Sequence, residues 1–105
     1  MKKELIDELF ARFENACYIY EGVECWSARD LQEILGYAQW RNFLNSIDKA
    51  KKSCEGAGEK VSDHFAEISK MVGLGSDAER TIPDIALTRY GCYLVEQNGD
   101  PAKLK

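Results

Sequence analysis

The spacing of apolar and polar positions changes several times along the chain, and each change marks an element. Between residues 2 and 15, Leu5, Ile6, Leu9, Phe10 and Phe13 recur at i, i+1, i+4, i+5 and i+8, one apolar stripe on a helix. The following CYIYEGVECW switches to short aromatic and β-branched runs on either side of Glu21-Gly22. That predicts a two-residue hairpin in which Tyr20 opposes Val23 and Tyr18 opposes Cys25 on one face, leaving Ile19 and Trp26 for the other. Ser27 then stands where an N-cap belongs, with Asp30 three residues on and Ala28, Leu31, Ile34 and Leu35 on one helical face. Gly36 supplies the stop.

A second helix is expected from after Tyr37 to about Cys54. Two helices joined across a short glycine-containing turn make a helix-turn-helix-like pair. CEGAGEKVSD reads as a polar, Gly-rich loop. HFAEISKMVGLG fits two periods: Phe65, Ile68 and Val72 have helical spacing, whereas Ile68, Val72 and Leu74 around Lys70 alternate as a strand. GLGS and GSDAER are turn-like, and RTIPDIALT is β-branched with Pro83, which predicts an edge strand. Thr88 caps a last helix over RYGCYLVEQNG, with Tyr90, Tyr93 and Leu94 on one face and Asn98-Gly99 and Pro101 ending it. The expected fold is α+β and mainly helical, a helix-turn-helix-like pair with small β-hairpins, in one domain over residues 1–105.

At 105 residues, 45% of them hydrophobic and 30% charged, the chain can bury one modest core and is too apolar for disorder. Its apolar runs stop far short of the ~20 residues that a bilayer span needs. Acids interrupt the N-terminal MKKELIDELFARFENA, which lacks the apolar region of a signal peptide. The expectation is a cytoplasmic protein with no membrane association. Cys17, Cys25, Cys54 and Cys92 form no CxxC pair and read as small buried hydrophobes. His64 has no neighbouring Cys or second His, so neither a metal nor another cofactor is expected. Catalytic patterns are poorly represented: GLGS leads to neither GxGxxG nor GK[ST], Asp7 and Glu8 lie on the exposed side of the first helix, and nothing ties His64 to a nucleophilic cysteine. The reading is a non-enzymatic protein.

Charge changes the picture at one place. The chain has 14 Lys+Arg against 18 Asp+Glu, a net charge of -4. Residues 41–52 nevertheless hold Arg41, Lys49, Lys51 and Lys52 against Asp48 alone, a local +3 that leaves -7 for the remainder. On a wheel of ~100° per residue, Trp40, Phe43, Leu44, Ile47, Ala50 and Cys54 fill an arc of roughly 120°. The opposite side carries Arg41, Asn42, Asn45, Ser46, Lys49, Lys52 and Ser53, with Asp48 at its edge and Lys51 at the apolar boundary. Ordinary surface helices mix Glu with Lys. This face instead holds side chains that bind phosphates and read base edges, Arg to guanine and Asn to adenine. Arg41, Asn42 and Asn45 occupy the start of the second helix, where a helix-turn-helix meets bases, and Lys49 and Lys52 are placed for phosphates. A solvated basic face is the competing reading. Tyr37 could stack on a base, while Trp40, inside the apolar arc, is expected in the core.

WSARDLQEILGY, the W-R-N-F segment with AKKSCEGAG, DHF, GSDAER and above all LTRYGCYLVEQNGDP resemble, in that order, the N-terminal part of the DNA-damage-inducible protein D family. That part is itself similar to the Bro-N type domain of phage and viral antirepressor-like proteins. The resemblance covers roughly residues 23 to 101. It implies a bacterial protein of the DNA-damage (SOS) response, tied to the recombinase filament on single-stranded DNA. It implies an α+β DNA-binding domain in which residues 67–88 form a hairpin feeding the last helix. It also implies a longer protein with a second helical region after NGDP, so that this chain corresponds to an isolated N-terminal domain.

With the resemblance, DNA becomes the expected partner. The candidate contacts are Arg41, Asn42, Asn45, Lys49 and Lys52, with Arg29 and Arg89 secondary. Two other readings stand beside it. An acidic surface could dock onto a basic partner such as a recombinase protomer without direct DNA contact. The domain could also dimerise through its first helix or a hairpin edge.

Overall fold

Capping residues set the helix boundaries in the structure, a computed structural model that describes residues 3–73, 75 and 78–99. Helix α1 (Lys3–Ala16) leads through the hairpin β1 (Tyr18–Tyr20) and β2 (Val23–Ser27) into α2 (Ala28–Leu35) and α3 (Trp40–Gly56). A 3-10 turn at Val61–Asp63 precedes β3 (Phe65–Gly73), β4 (Glu79–Thr88) and α4 (Arg89–Gln97). As the sequence predicts, the Ser27 side chain accepts from the Asp30 N–H at the start of α2, and the Thr88 side chain accepts from the Gly91 N–H at the start of α4. Gly36, at φ 80°, closes α2 with its N–H on the Gln32 and Glu33 carbonyls. Glycine tolerates that left-handed conformation at little cost.

The four strands form one antiparallel sheet in the order β1-β2-β4-β3. The first hairpin has the expected register, with Tyr18 opposite Cys25 and Tyr20 opposite Val23. Glu21 and Gly22 both adopt positive φ, 52° and 81°, as a two-residue hairpin turn requires. FAEISKMVG resolves as a strand, and β3 pairs with β4 without a bulge from Phe65 opposite Leu87 to Gly73 opposite Glu79. Residues 67–88 are thus the hairpin that the resemblance implies. Within its turn, Leu74, Ser76 and Asp77 lie outside the described residues, and Glu79 and Arg80 belong to β4 rather than to the turn.

Two strand expectations need correction. The hairpins are not separate small units, because β2 pairs with β4 and joins them into one sheet. Pro83 therefore lies in an interior strand. It is tolerated because β2 pairs with β4 only at Ala86–Thr88, so that side of β4 is locally an open edge at Pro83. Pro83 turns its carbonyl to this open side, where it accepts from Arg29 Nε at 3.0 Å.

A row of Trp26, Leu87 and Phe65 crosses β2, β4 and β3. With Ile85 it packs against Leu31, Phe43, Ile47 and Val95 from the helices to make the core. Each such side chain removed from water contributes about 1.5–3 kcal/mol. Phe13 extends the core to α1 by stacking on Trp26 at 4.4 Å between ring centroids, and its carbonyl accepts the Trp26 indole N–H at 2.7 Å. Ile19 shares the Trp26 face by alternation but is exposed, since it sits on the outermost strand. Tyr93, expected to pack with Tyr90 and Leu94, points to solvent and its hydroxyl accepts from Gln97. Cys25, Cys54 and Cys92 are buried and Cys17 is half-buried. No helix among the described residues is long and apolar enough to cross a membrane.

Candidate nucleic-acid interface

Helix α3 positions the candidate face, and its burial is rotated from the wheel expectation. Phe43, Ile47, Ala50 and Cys54 are buried, while Trp40 and Leu44 are half-buried. Ser46, assigned to the polar side, is buried, and Ser53 is half-buried. The Ser46 hydroxyl lies 3.2 Å from the hydroxyl of Tyr37, and Ser53 Oγ bonds Asn98 Oδ1 just beyond α4 at 3.4 Å. Small serines let the chain ends around α4 approach α3 closely, and each hydroxyl finds a partner there. Gly99 completes this contact, because a Cβ at that position would come within 2.8 Å of the Tyr37 hydroxyl. Tyr37 itself is only 8% exposed, so it is a core residue rather than a stacking platform.

What remains exposed on α3 includes Arg41, Asn42, Asn45, Lys49 and Lys52 and two acids, Asp48 and Glu55. Arg41, Asn45, Lys49 and Lys52 follow one another at i, i+4, i+8 and i+11 and so share a face. Asp48 lies on the same exposed surface. None of the three cations has an ion-pair partner among the described residues. At the N-terminal end of α3, Gln39 provides no side-chain cap and the first turn holds no acid. The free N–H groups and the positive end of the helix dipole there are not offset by an acid of the first turn.

Arg29 and Arg89 stand apart from each other. The Arg29 guanidinium lies over the Trp40 indole, 3.6 Å from the ring centroid, which places it at the N-terminal end of the α3 face. Its bond to the Pro83 carbonyl fixes it there. Arg89, the first residue of α4, sits 3.0 Å from Glu14 and 3.6 Å from Glu24, with Trp26 beneath it at 4.9 Å. A cation at a helix N-terminus opposes the dipole, and these carboxylates offset it. The hydrogen bond from Arg89 to Glu14 pushes the guanidinium pKa up from its ordinary value. The partners of Arg89 belong to α1 and β2, and none belongs to α3.

Two arrangements were not visible in the sequence. Asp84 is a carboxylate only 3% exposed; it accepts from Ser27 Oγ, from Arg29 N–H at 3.1 Å and from Ile85 N–H at 2.7 Å. It therefore anchors the start of α2 on β4. Its one sequence signal is an acid set inside the apolar run IPDIALT. His64 Nδ1 meets Thr88 Oγ1 at 2.7 Å, with Glu59 3.7 Å from Nε2. The Thr88 hydroxyl is already occupied as the cap of α4, so this trio braces a helix end. No group of three or more His, Cys, Asp or Glu is placed to hold a metal ion among the described residues.

With this geometry in hand, comparison with known proteins gives a consistent answer. The model of the BRO family, N-terminal domain (Bro-N), matches residues 15–105. Helix α1 falls almost wholly outside that match. DNA damage-inducible protein D of Escherichia coli (strain K12) is 54% identical over 82 residues, covering 78% of this chain and 30% of that protein's length. No solved structure matches the chain. The chain belongs to the BRO family, with the Bro-N domain matched over residues 15–105.

Proposed function

We propose that this domain is a non-enzymatic DNA-binding module acting in the DNA-damage response, and that it contacts DNA through the exposed face of α3. The observation that carries this reading is that Arg41, Lys49 and Lys52 stand on one helix face without ion-pair partners among the described residues. Lys70 and Arg89 are paired with carboxylates. Arg12, Lys60 and Arg80 also stand without an ion-pair partner among the described residues but on separate elements, so what sets α3 apart is the clustering of its cations. Asn42 and Asn45 add base-reading amides, and Arg29 extends the positive surface beside the uncapped start of α3. In this reading α2 and α3 act as the helix-turn-helix-like pair, and Arg89 serves the fold rather than the ligand. The similarity to DNA damage-inducible protein D supports the DNA-damage setting, and an action on recombinase filaments formed on single-stranded DNA is the finer part of the same proposal. Antirepressor-like behaviour fits the same family. Fluorescence anisotropy with labelled single- and double-stranded oligonucleotides tests the reading. Binding at low salt should fall at least about tenfold in Arg41→Glu/Lys49→Glu. Absence of binding at low salt would overturn it.

A second reading rests on a separate observation. Glu4, Asp7, Glu8 and Glu14 are exposed on α1, an acidic surface suited to a basic protein partner such as a recombinase protomer. Capture of recombinase that survives nuclease treatment and the α3 substitutions would favour this protein-interaction module over direct DNA contact.

A further inference from the structure

The sheet ends on β3, and among the described residues no strand pairs with its outer side. Backbone direction along β4 shows which β3 groups face it. The Thr88 N–H reaches the His64 carbonyl on the β3 side, whereas the Pro83 carbonyl and the Ile85 N–H turn the other way, to Arg29 and to the Asp84 carboxylate. Because direction alternates along a strand, Ile82, Asp84 and Ala86 bond β3 through their partners Lys70, Ile68 and Ala66. Phe65, Glu67, Ser69, Met71 and Gly73 therefore turn their N–H and C=O groups outward. Among the described residues, no backbone hydrogen bond outside the ladder with β4 involves residues 65–73.

Natural edges of this length are blunted by proline, bulges, shortness or charge. β3 runs nine residues without a bulge or proline. Of its two charges, Lys70 is drawn off to Asp30 at 2.8 Å, which leaves Glu67 as the one exposed edge charge without a described ion-pair partner. The opposite edge, β1, has only three residues.

We propose that β3 pairs antiparallel with β3 of a second copy about a two-fold axis at Ser69, making a continuous eight-stranded sheet. The strand is self-complementary in this register. A two-fold axis normal to the sheet keeps each face on its own side, so residues of equal parity must oppose. Centred on Ser69, the midpoint of the strand, Glu67 opposes Met71, Ile68 opposes Lys70, Ala66 opposes Val72, and the small, exposed Ser69 meets its own copy. All nine residues pair and no like charges face each other. Centring on Glu67 or Lys70 would oppose identical charges, and centring on Ile68 or Met71 would shorten the ladder. Outward groups meet outward groups throughout, so the new ladder satisfies donors that have no backbone partner among the described residues. Met71, 62% exposed, is covered by the joined strand.

Sedimentation analysis of the chain from micromolar to millimolar concentration should show a monomer–dimer equilibrium. Ser69→Pro removes only an outward N–H, so it should give a monomer with unchanged far-UV circular dichroism. In a Cys17→Ser background, Ser69→Cys should cross-link covalently under oxidation, because the two copies face each other within disulfide reach. Met71→Cys, which opposes Glu67 of the other copy, should not. A monomer at every concentration would refute the proposal. So would a dimer that survives Ser69→Pro and instead dissociates on Phe10→Glu in α1.

Discussion

At the scale of single residues, Asp84 shows how a polar group can be essential without touching any ligand. Its carboxylate holds the capping hydroxyl of Ser27 and two backbone N–H groups at the junction of β4 and α2. Asp84→Ala leaves those donors buried and unpaired, and should cost about 2–4 kcal/mol in urea unfolding. Asp84→Asn, which keeps one acceptor oxygen, should cost less. Gly91 is constrained by approach: a Cβ there would lie 2.8 Å from the His64 carbonyl. Gly91→Ala must push α4 off the start of β3, with an expected loss of about 1–3 kcal/mol.

Cys92 gives a pH prediction at the same scale. Burial pushes its thiol from 9.0 up to about 12. Below the unfolded value both states keep the proton and stability is complete. Above it the unfolded chain ionises first, so stability falls as pH rises from about 9 towards about 12, by up to about 4 kcal/mol. Lysines and tyrosines titrate in the same range, so the check is a difference. Denaturant midpoints should drop more steeply above pH 9 in the natural chain than in Cys92→Ala.

At the scale of elements, α3 has two sides with different duties, and the wheel read only one of them fully. Phe43, Ile47, Ala50 and Cys54 declare their burial by hydropathy. Ser46 does not, because nothing in its own polarity shows that the Tyr37 hydroxyl will meet it. The consequence can be measured on one helix. Arg41→Glu/Lys49→Glu should change stability by no more than about 0.5 kcal/mol while reducing DNA affinity. Ser46→Lys should cost about 2 kcal/mol or more by forcing a charge into the contact with Tyr37. Equal destabilisation by both would mean that the exposed face is part of the packing. β4 carries a parallel lesson. Pro83 misleads as the mark of an edge strand: β4 is interior, the open side at Pro83 is local, created where β2 stops pairing, and strand order is invisible in the strand itself.

At the scale of the whole molecule, charge is segregated rather than abundant. A net charge of -4 disfavours bulk attraction to nucleic acid, so any binding must come from a few cations on one face. If Arg41, Lys49, Lys52 and Arg29 supply three or four phosphate contacts, affinity should fall about 40- to 150-fold between 50 and 200 mM salt. Each substitution of one of them should lower the salt slope by about one. Far steeper dependence would place additional cations in the interface. The α1 helix, mostly outside the Bro-N match, still joins this body through Phe13 on Trp26 and Glu14 on Arg89. It is anchored at its C-terminal end, while Phe10 remains 65% exposed.

The sequence by itself determined the local elements of this protein. Caps at Ser27 and Thr88, the Gly36 stop and the Glu21-Gly22 turn act over a few residues, and short-range hydrogen bonding and backbone sterics suffice to specify them. It also carried the family, through motifs in fixed order, and the concentration of cations on α3. The period of HFAEISKMVG was undecided because its apolar spacing satisfies both helix and strand, and only pairing with β4 selects one. Tertiary structure alone decided that two hairpins share one sheet, that Ser46, Tyr37 and Asp84 are buried, and that Arg89 is paired with carboxylates while Arg41, Lys49 and Lys52 have no ion-pair partner among the described residues. Those outcomes depend on which distant groups arrive beside each side chain. Distance along the chain, 75 residues in the case of Glu14 and Arg89, carries no information about that.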